Sequence, residues 1–187
     1  HTNQYPYNLP STRVPHHPEH MPKTMPRGDI EHASFHWAAC YYMRGGIKSV
    51  EAYKRLSKVY DSDMGLELFD FTKAQHLDPS LVADSLQEAG LGFRNAISRY
   101  WVENARRMSE RYGGDPRNIF DDMRDYDEAL RRISNDGRGG GFLGFREKMT
   151  SMIIYYLLDD ELISEFNNFP IPVDLHVMRV SIANEMI

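Results

Sequence analysis

From Asp29 onward, apolar residues recur at spacings of three and four, and most of these runs are bounded by residues that start or stop a helix. No stretch of alternating polar and apolar residues competes with that pattern, which restricts the chain to an all-α fold. A first helix is predicted over 31–43, ended by Gly45-Gly46, and Ser49 stands before Val50-Glu51-Ala52-Tyr53 as the start of a second that runs to about Tyr60. The stretch 64–76 is ambiguous between helix and turn. Asp78-Pro79-Ser80 opens a short helix to Ala89, with proline at a favoured first-turn position, and Gly90-Leu91-Gly92 closes it. A long helix follows over 94–111, and Gly113-Gly114 stops it. Further helices are predicted over 124–135, from Arg146, and from Leu175 to the last residue.

The first 29 residues behave differently. Pro6, Pro10, Pro15, Pro18, Pro22 and Pro26 fix φ and remove backbone donors, so neither a helix nor a central strand can run through them. Residues 1–29 are therefore expected to form an extended arm, either wrapped on the helical domain of 30–187 or disordered. Within it, His16, His17 and His20 stand as HHPEH. A metal site needs a fixed backbone, so these histidines are read as a solvated polar segment, and no metal site is expected.

Composition narrows the classes. Hydrophobic residues make up 41% and charged residues 26% of the 187, an ordinary globular balance. No apolar run approaches the roughly 20 residues that cross a bilayer, so a membrane partner is not expected. The opening residues lack the basic and apolar regions of a secretory signal. The single cysteine, Cys40, forms no internal disulfide and lies in an apolar stretch, where a buried inert thiol is expected. These features fit an intracellular protein, in the cytoplasm (nucleoid) or the nucleus. A net charge of -5 argues against indiscriminate binding to a polyanion. Even so, residues 131–148 carry five cations, Arg131, Arg132, Arg138, Arg146 and Lys148, against Asp136 and Glu147, a local +3.

Two residues in the second half have a chemical reading of their own. Asp174 follows Pro172-Val173 where a helix begins, and an N-cap carboxylate accepts backbone N–H bonds that favour its charged form. Lys148 falls in the first turn of the helix from Arg146, and the positive end of a helix disfavours an ammonium relative to an attacking amine. Between 137 and 141 four of the five residues are glycine. Backbone N–H groups at Gly140, Gly141 and Gly144 can converge on a phosphate, although a plain linker would look the same.

Three stretches, taken in order, resemble the helix-hairpin-helix DNA glycosylases, the superfamily of endonuclease III and 8-oxoguanine glycosylase. They are Glu88 to Ile97 with its following helix and Arg111-Tyr-Gly-Gly-Asp115, then Phe142-Leu-Gly-Phe-Arg-Glu-Lys-Met-Thr150, then Pro172-Val-Asp-Leu-His-Val-Met-Arg179. The resemblance implies a DNA glycosylase with lyase activity. Lys148 would attack the sugar C1′ and expel a damaged or modified base through a Schiff base, with Asp174 assisting. It further implies that Gly140, Gly141, Gly144, Arg146 and His176 meet the DNA backbone, with a monovalent cation at the hairpin. Arg146 stands where the family usually has a second glycine. The chain ends 13 residues past Asp174, whereas the family continues with helices that in some members bind an iron–sulfur cluster. This chain cannot build that cluster alone and is expected to lack those helices.

Two other readings stay open. The same chemistry could act on a nucleoside or an RNA base, which the negative net charge favours. Alternatively, the chain is a non-catalytic helical binding module, with its methionines and Tyr41-Tyr42-Met43 as adaptable contacts. Phe142, Phe145, Tyr100 and Trp101 are candidates for stacking on a flipped base, or else core.

Overall fold

The computed structural model describes residues 15–43, 46–92, 96–123, 125–135, 140–164 and 166. The protein is all-α: among the described residues there are eight α-helices, no strand, and one isolated bridge between Ser134 and Phe142. The chain divides into two compact units, His1–Pro116 and Arg117–Ile187.

The first unit holds α1 (Ile30–Cys40), α2 (Ser49–Tyr60), α3 (Gly65–Leu68), α4 (Phe71–Ala74), α5 (Pro79–Glu88) and α6 (Ile97–Tyr112). Local chemistry explains most of the boundaries. Asp78 caps α5 by accepting from Ser80 N–H at 2.8 Å, worth about 1 kcal/mol. Asp70 does the same for α4, accepting from Thr72 N–H at 3.0 Å, and so splits the ambiguous 64–76 stretch into two single-turn helices. Ser49, expected to precede its helix, is its first residue, and Lys48 occupies the cap position. The first helix stops at Cys40 instead of residue 43, and Tyr41–Met43 continue as a tighter turn with bonds three residues back.

Helix α1 is buried from His32 to Cys40, so it has no solvent face. Phe35 at its middle stacks on Phe69 at 5.3 Å between ring centres and packs near Tyr53 and Tyr60. Trp101 of α6 meets Phe69 edge-on at 5.4 Å and donates its indole N–H to the Leu68 carbonyl at 2.9 Å. That bond satisfies the ring's one polar atom inside the core. Asn104, one turn on, donates to the Tyr41 hydroxyl at 2.9 Å.

The proline-rich arm is ordered where it is described. Residues 1–14 lie outside the described set, but a 3-10 turn at Pro18–His20 packs down, and His16, His20, Met21 and Met25 are buried. The solvated reading of HHPEH is thus corrected for His16 and His20. Proline excludes helix and ladder hydrogen bonding, yet it leaves the chain free to lie in one fixed extended path, where its side chains can be buried.

The second unit is built on α7 (Tyr126–Ile133) and α8 (Glu147–Asp159). Asp125 caps α7 through Asp127 N–H at 2.7 Å and Glu128 N–H at 3.2 Å. Between the helices the chain closes a tight connector: Phe142 N–H donates to Ile133 O and Asn135 N–H to Phe145 O, each at 2.9 Å. Phe142 and Phe145 are buried beneath it. Two glycines make the path possible. Gly144 sits at φ 85, and a Cβ on Gly141 would collide with the Ser134 carbonyl. The helix predicted from Leu175 lies outside the described residues.

Gly141→Ala is expected to lower the stability of the second unit by roughly 2 kcal/mol, because the neighbouring backbone must move. Gly140→Ala, where a methyl meets nothing within 4 Å, should change it by less than about 0.5 kcal/mol. Urea denaturation of the two variants checks this, and equal midpoints would refute the close approach at Gly141.

Candidate functional site

The residues predicted around the second-unit hairpin stand in one short segment. Gly140, Gly141, Gly144, Arg146 and Lys148 follow one another from the connector into the first turn of α8. Arg146 is the residue before that helix, at φ -140 and ψ -174, an extended conformation open to any side chain. Position 146 therefore has no need of a glycine, and among the described residues of the connector the left-handed conformation falls at Gly144. Lys148 is half-buried, and Arg146 and Glu147 beside it are exposed.

The turn that carries Lys148 is tied to α7. The Tyr126 hydroxyl donates to the Glu147 carbonyl at 3.3 Å and lies 3.0 Å from the Ser151 hydroxyl. One phenol thus bonds to the first and second turns of α8. Burial raises the Tyr126 pKa, Ser151 offsets part of that, and Glu147 and Asp127 add to the rise, so the hydroxyl stays protonated as a donor. The Thr150 hydroxyl closes the same turn by donating to Arg146 O at 3.1 Å.

The local +3 is smaller than the count over 131–148 implied. Arg131 pairs with Glu128 at 2.6 Å, and Arg132 pairs with Glu128 and with Asp122, each at 3.0 Å. Arg132 also donates to Ile119 O at 2.9 Å. Glu128 lies one turn back on α7, just outside the window counted. Arg138, Asp174 and His176 lie outside the described residues.

Phe142, Phe145 and Trp101 are fully buried, which makes them core residues. Tyr41, Tyr42 and Met43 are buried too, so they offer no adaptable contact surface. Cys40 is a buried free thiol, and burial pushes its pKa well above the ordinary range, as expected for an inert cysteine.

Sequence reasoning missed a second cluster, in the first unit. His32 and His36 stand one turn apart on α1 with ring centres 4.8 Å apart, and a ring nitrogen of each lies within 4.8 Å of the other. His16 from the arm meets His36 edge-on at 6.1 Å. All three are buried, His36 completely. The Tyr53 hydroxyl lies 2.9 Å from His36 Nδ1. The signal was present as His-Ala-Ser-Phe-His, a spacing that puts both imidazoles on one helix face.

Compared with known protein families, curated proteins and solved structures, the chain shows no significant match. No helix among the described residues is long and apolar enough to cross a membrane.

The Arg131 and Arg132 guanidinium groups hold the half-buried Glu128 carboxyl below the ordinary glutamate range. A depressed folded-state pKa adds stability above the unfolded value of about 4.3, and this is lost as pH falls through the folded value. Below about pH 5 the wild-type denaturation midpoint should therefore fall more steeply than that of Glu128→Gln. Parallel curves would show that these pairs contribute nothing to acid stability.

Proposed function

We propose that the protein cleaves N-glycosidic bonds in DNA, removing a damaged or modified base, with Lys148 as the amine nucleophile and Asp174 as its carboxylate partner. One observation carries the reading: Lys148 occupies the first turn of a helix entered through a tight, glycine-hinged connector from a preceding helix. The resemblance of Phe142 to Thr150 and of Pro172 to Arg179 to the helix-hairpin-helix glycosylases supplies the chemistry.

The Lys148 amine attacks C1′ of the nucleoside, forming a carbon–nitrogen bond while the base departs with the glycosidic electron pair and takes up a proton. Opening of the sugar gives an iminium. Loss of a C2′ proton then expels the 3′ phosphate, which cuts the strand. The carboxylate of Asp174 would stabilise the positive charge that builds on the sugar. Backbone N–H groups around Gly144 and the exposed Arg146 would hold the flanking phosphate. Tyr126 fixes the turn from which Lys148 projects.

A second reading keeps the chemistry and changes the substrate to a nucleoside or an RNA base. It is favoured by the pairing of Arg131 and Arg132 with Glu128 and Asp122, which withdraws two cations from any phosphate track.

Borohydride reduction in the presence of abasic and modified-base duplexes should leave a covalent protein–DNA band on a denaturing gel. Lys148→Ala should abolish the band, while Lys54→Ala, on α2, should keep it. No band with any duplex, together with base release from free nucleosides, would transfer the proposal to the second reading. No reaction with either substrate class would end both.

A further inference from the structure

We infer that an open cavity between the arm and the end of α2 binds a small organic ammonium ion, a primary amine carried on an apolar body. The inference goes beyond the proposed base-excision reaction and is independent of it, since every described residue lining the cavity belongs to the first unit. The cavity volume, about 710 Å³, is that of a small-molecule site.

Two segments of chain make the walls. Residues 19–24 of the arm form one, and the last turn of α2 with the start of α3 forms the other. A Cβ on Gly65 would collide with the Tyr60 carbonyl, so this glycine lets α3 begin directly against the end of α2. That close approach brings Leu66, which is 60% exposed, to the cavity. Met21, almost wholly buried, lines it from the arm. These two side chains give the site its apolar part.

The polar part selects a cation. Ser57, Tyr60 and Asp61 stand at i, i+3 and i+4, on one face where α2 ends. A primary ammonium has three donors and no acceptor, and these residues offer it a hydroxyl, a phenol oxygen and a carboxylate. Tyr60 is 5% exposed, and its ring packs near Phe69 at 5.4 Å between centres. Among the described residues no hydrogen bond reaches its hydroxyl, which is not sealed from solvent. A ligand donor in the cavity would satisfy this buried phenol. Thr24 donates to one Asp61 oxygen at 3.2 Å and leaves the other to accept.

Electrostatics agree with the donor count. The C-terminal end of a helix carries partial negative charge, which favours a cation there. Asp61 and Glu19 add two carboxylates to the lining. Burial first, and then the carboxylates of Glu31, Asp61 and Asp29, raises the Tyr60 pKa, so the phenol stays protonated in a negative field. Among the described lining residues Lys23 is the one opposing cation, and it is exposed.

The test is titration of the full chain with 2-phenylethylammonium, read by calorimetry and by the NMR methyl signals of Met21 and Leu66. One equivalent should bind and shift both methyls saturably. The neutral analogue 2-phenylethanol, with the same apolar body and no charge, should bind about 10-fold more weakly. Asp61→Asn should weaken binding of the ammonium by about 10-fold, and Tyr60→Phe, which keeps the ring packing, by about 5-fold. Lys23→Gln should tighten it by about 3-fold. Lys48→Gln, at the opposite end of α2, should change nothing. No saturable shift at Met21 and Leu66 would overturn the site. Equal binding of alcohol and ammonium, or wild-type affinity in Asp61→Asn, would overturn it as well.

Discussion

A helix with no solvent face must be wrapped on every side, and α1 imposes that demand on the first unit. Its residues from His32 to Cys40 are all buried, including two imidazoles and a serine. The aromatic rings of Tyr60, Phe69 and Trp101 supply apolar cover around Phe35, and Tyr53 and Asn104 answer polar groups that burial cuts off from water. Removing any of these neighbours exposes either a large apolar surface or an unsatisfied donor, and both are expensive next to a net stability of about 10 kcal/mol. The arm belongs to this wrapping, since it covers polar residues with its own buried histidines.

The second unit follows a different logic. Among its described residues, buried apolar side chains are joined by short covalent paths and directed bonds. The connector between α7 and α8 holds because Gly141 and Gly144 let backbone approach backbone, and because Phe142 and Phe145 plug the space beneath. The Tyr126 hydroxyl then fixes the first turn of α8. A reacting side chain on that turn inherits the rigidity of two helices, which is what a nucleophile held for in-line attack requires. Helix α8 ends with Glu161 at φ 57, where Leu162 N–H reaches back to Leu157 O at 2.7 Å. This helix-ending turn is completed without the usual glycine.

Local features were readable from sequence because their causes are local. Asp78-Pro79 announced its helix, Gly113 ended the long one, and the 3.6-residue spacing gave the fold class. The buried histidines were not readable for two reasons. Apolar periodicity counts histidine as polar, and a helix buried all round shows no stripe to detect. Among the described residues of the arm the one helical element is the 3-10 turn at Pro18–His20, and the prolines say nothing about what an extended segment packs against. Counting charge over 131–148 failed through its boundary, because Glu128, one helical turn before Arg132, pairs with both Arg131 and Arg132, and Asp122 pairs with Arg132 as well. Lys148 was placed in the first turn of its helix by sequence alone. Asp174, proposed as its partner, falls beyond the described residues, so the pair was legible only as a motif.

The lone thiol has a practical consequence. Cys40 lies at the end of α1, fully buried, with burial opposing thiolate formation. A reagent that modifies thiolates can reach it only when that helix leaves the core. The rate of its labelling is therefore a built-in clock for the opening of the first unit, readable by mass without any introduced probe.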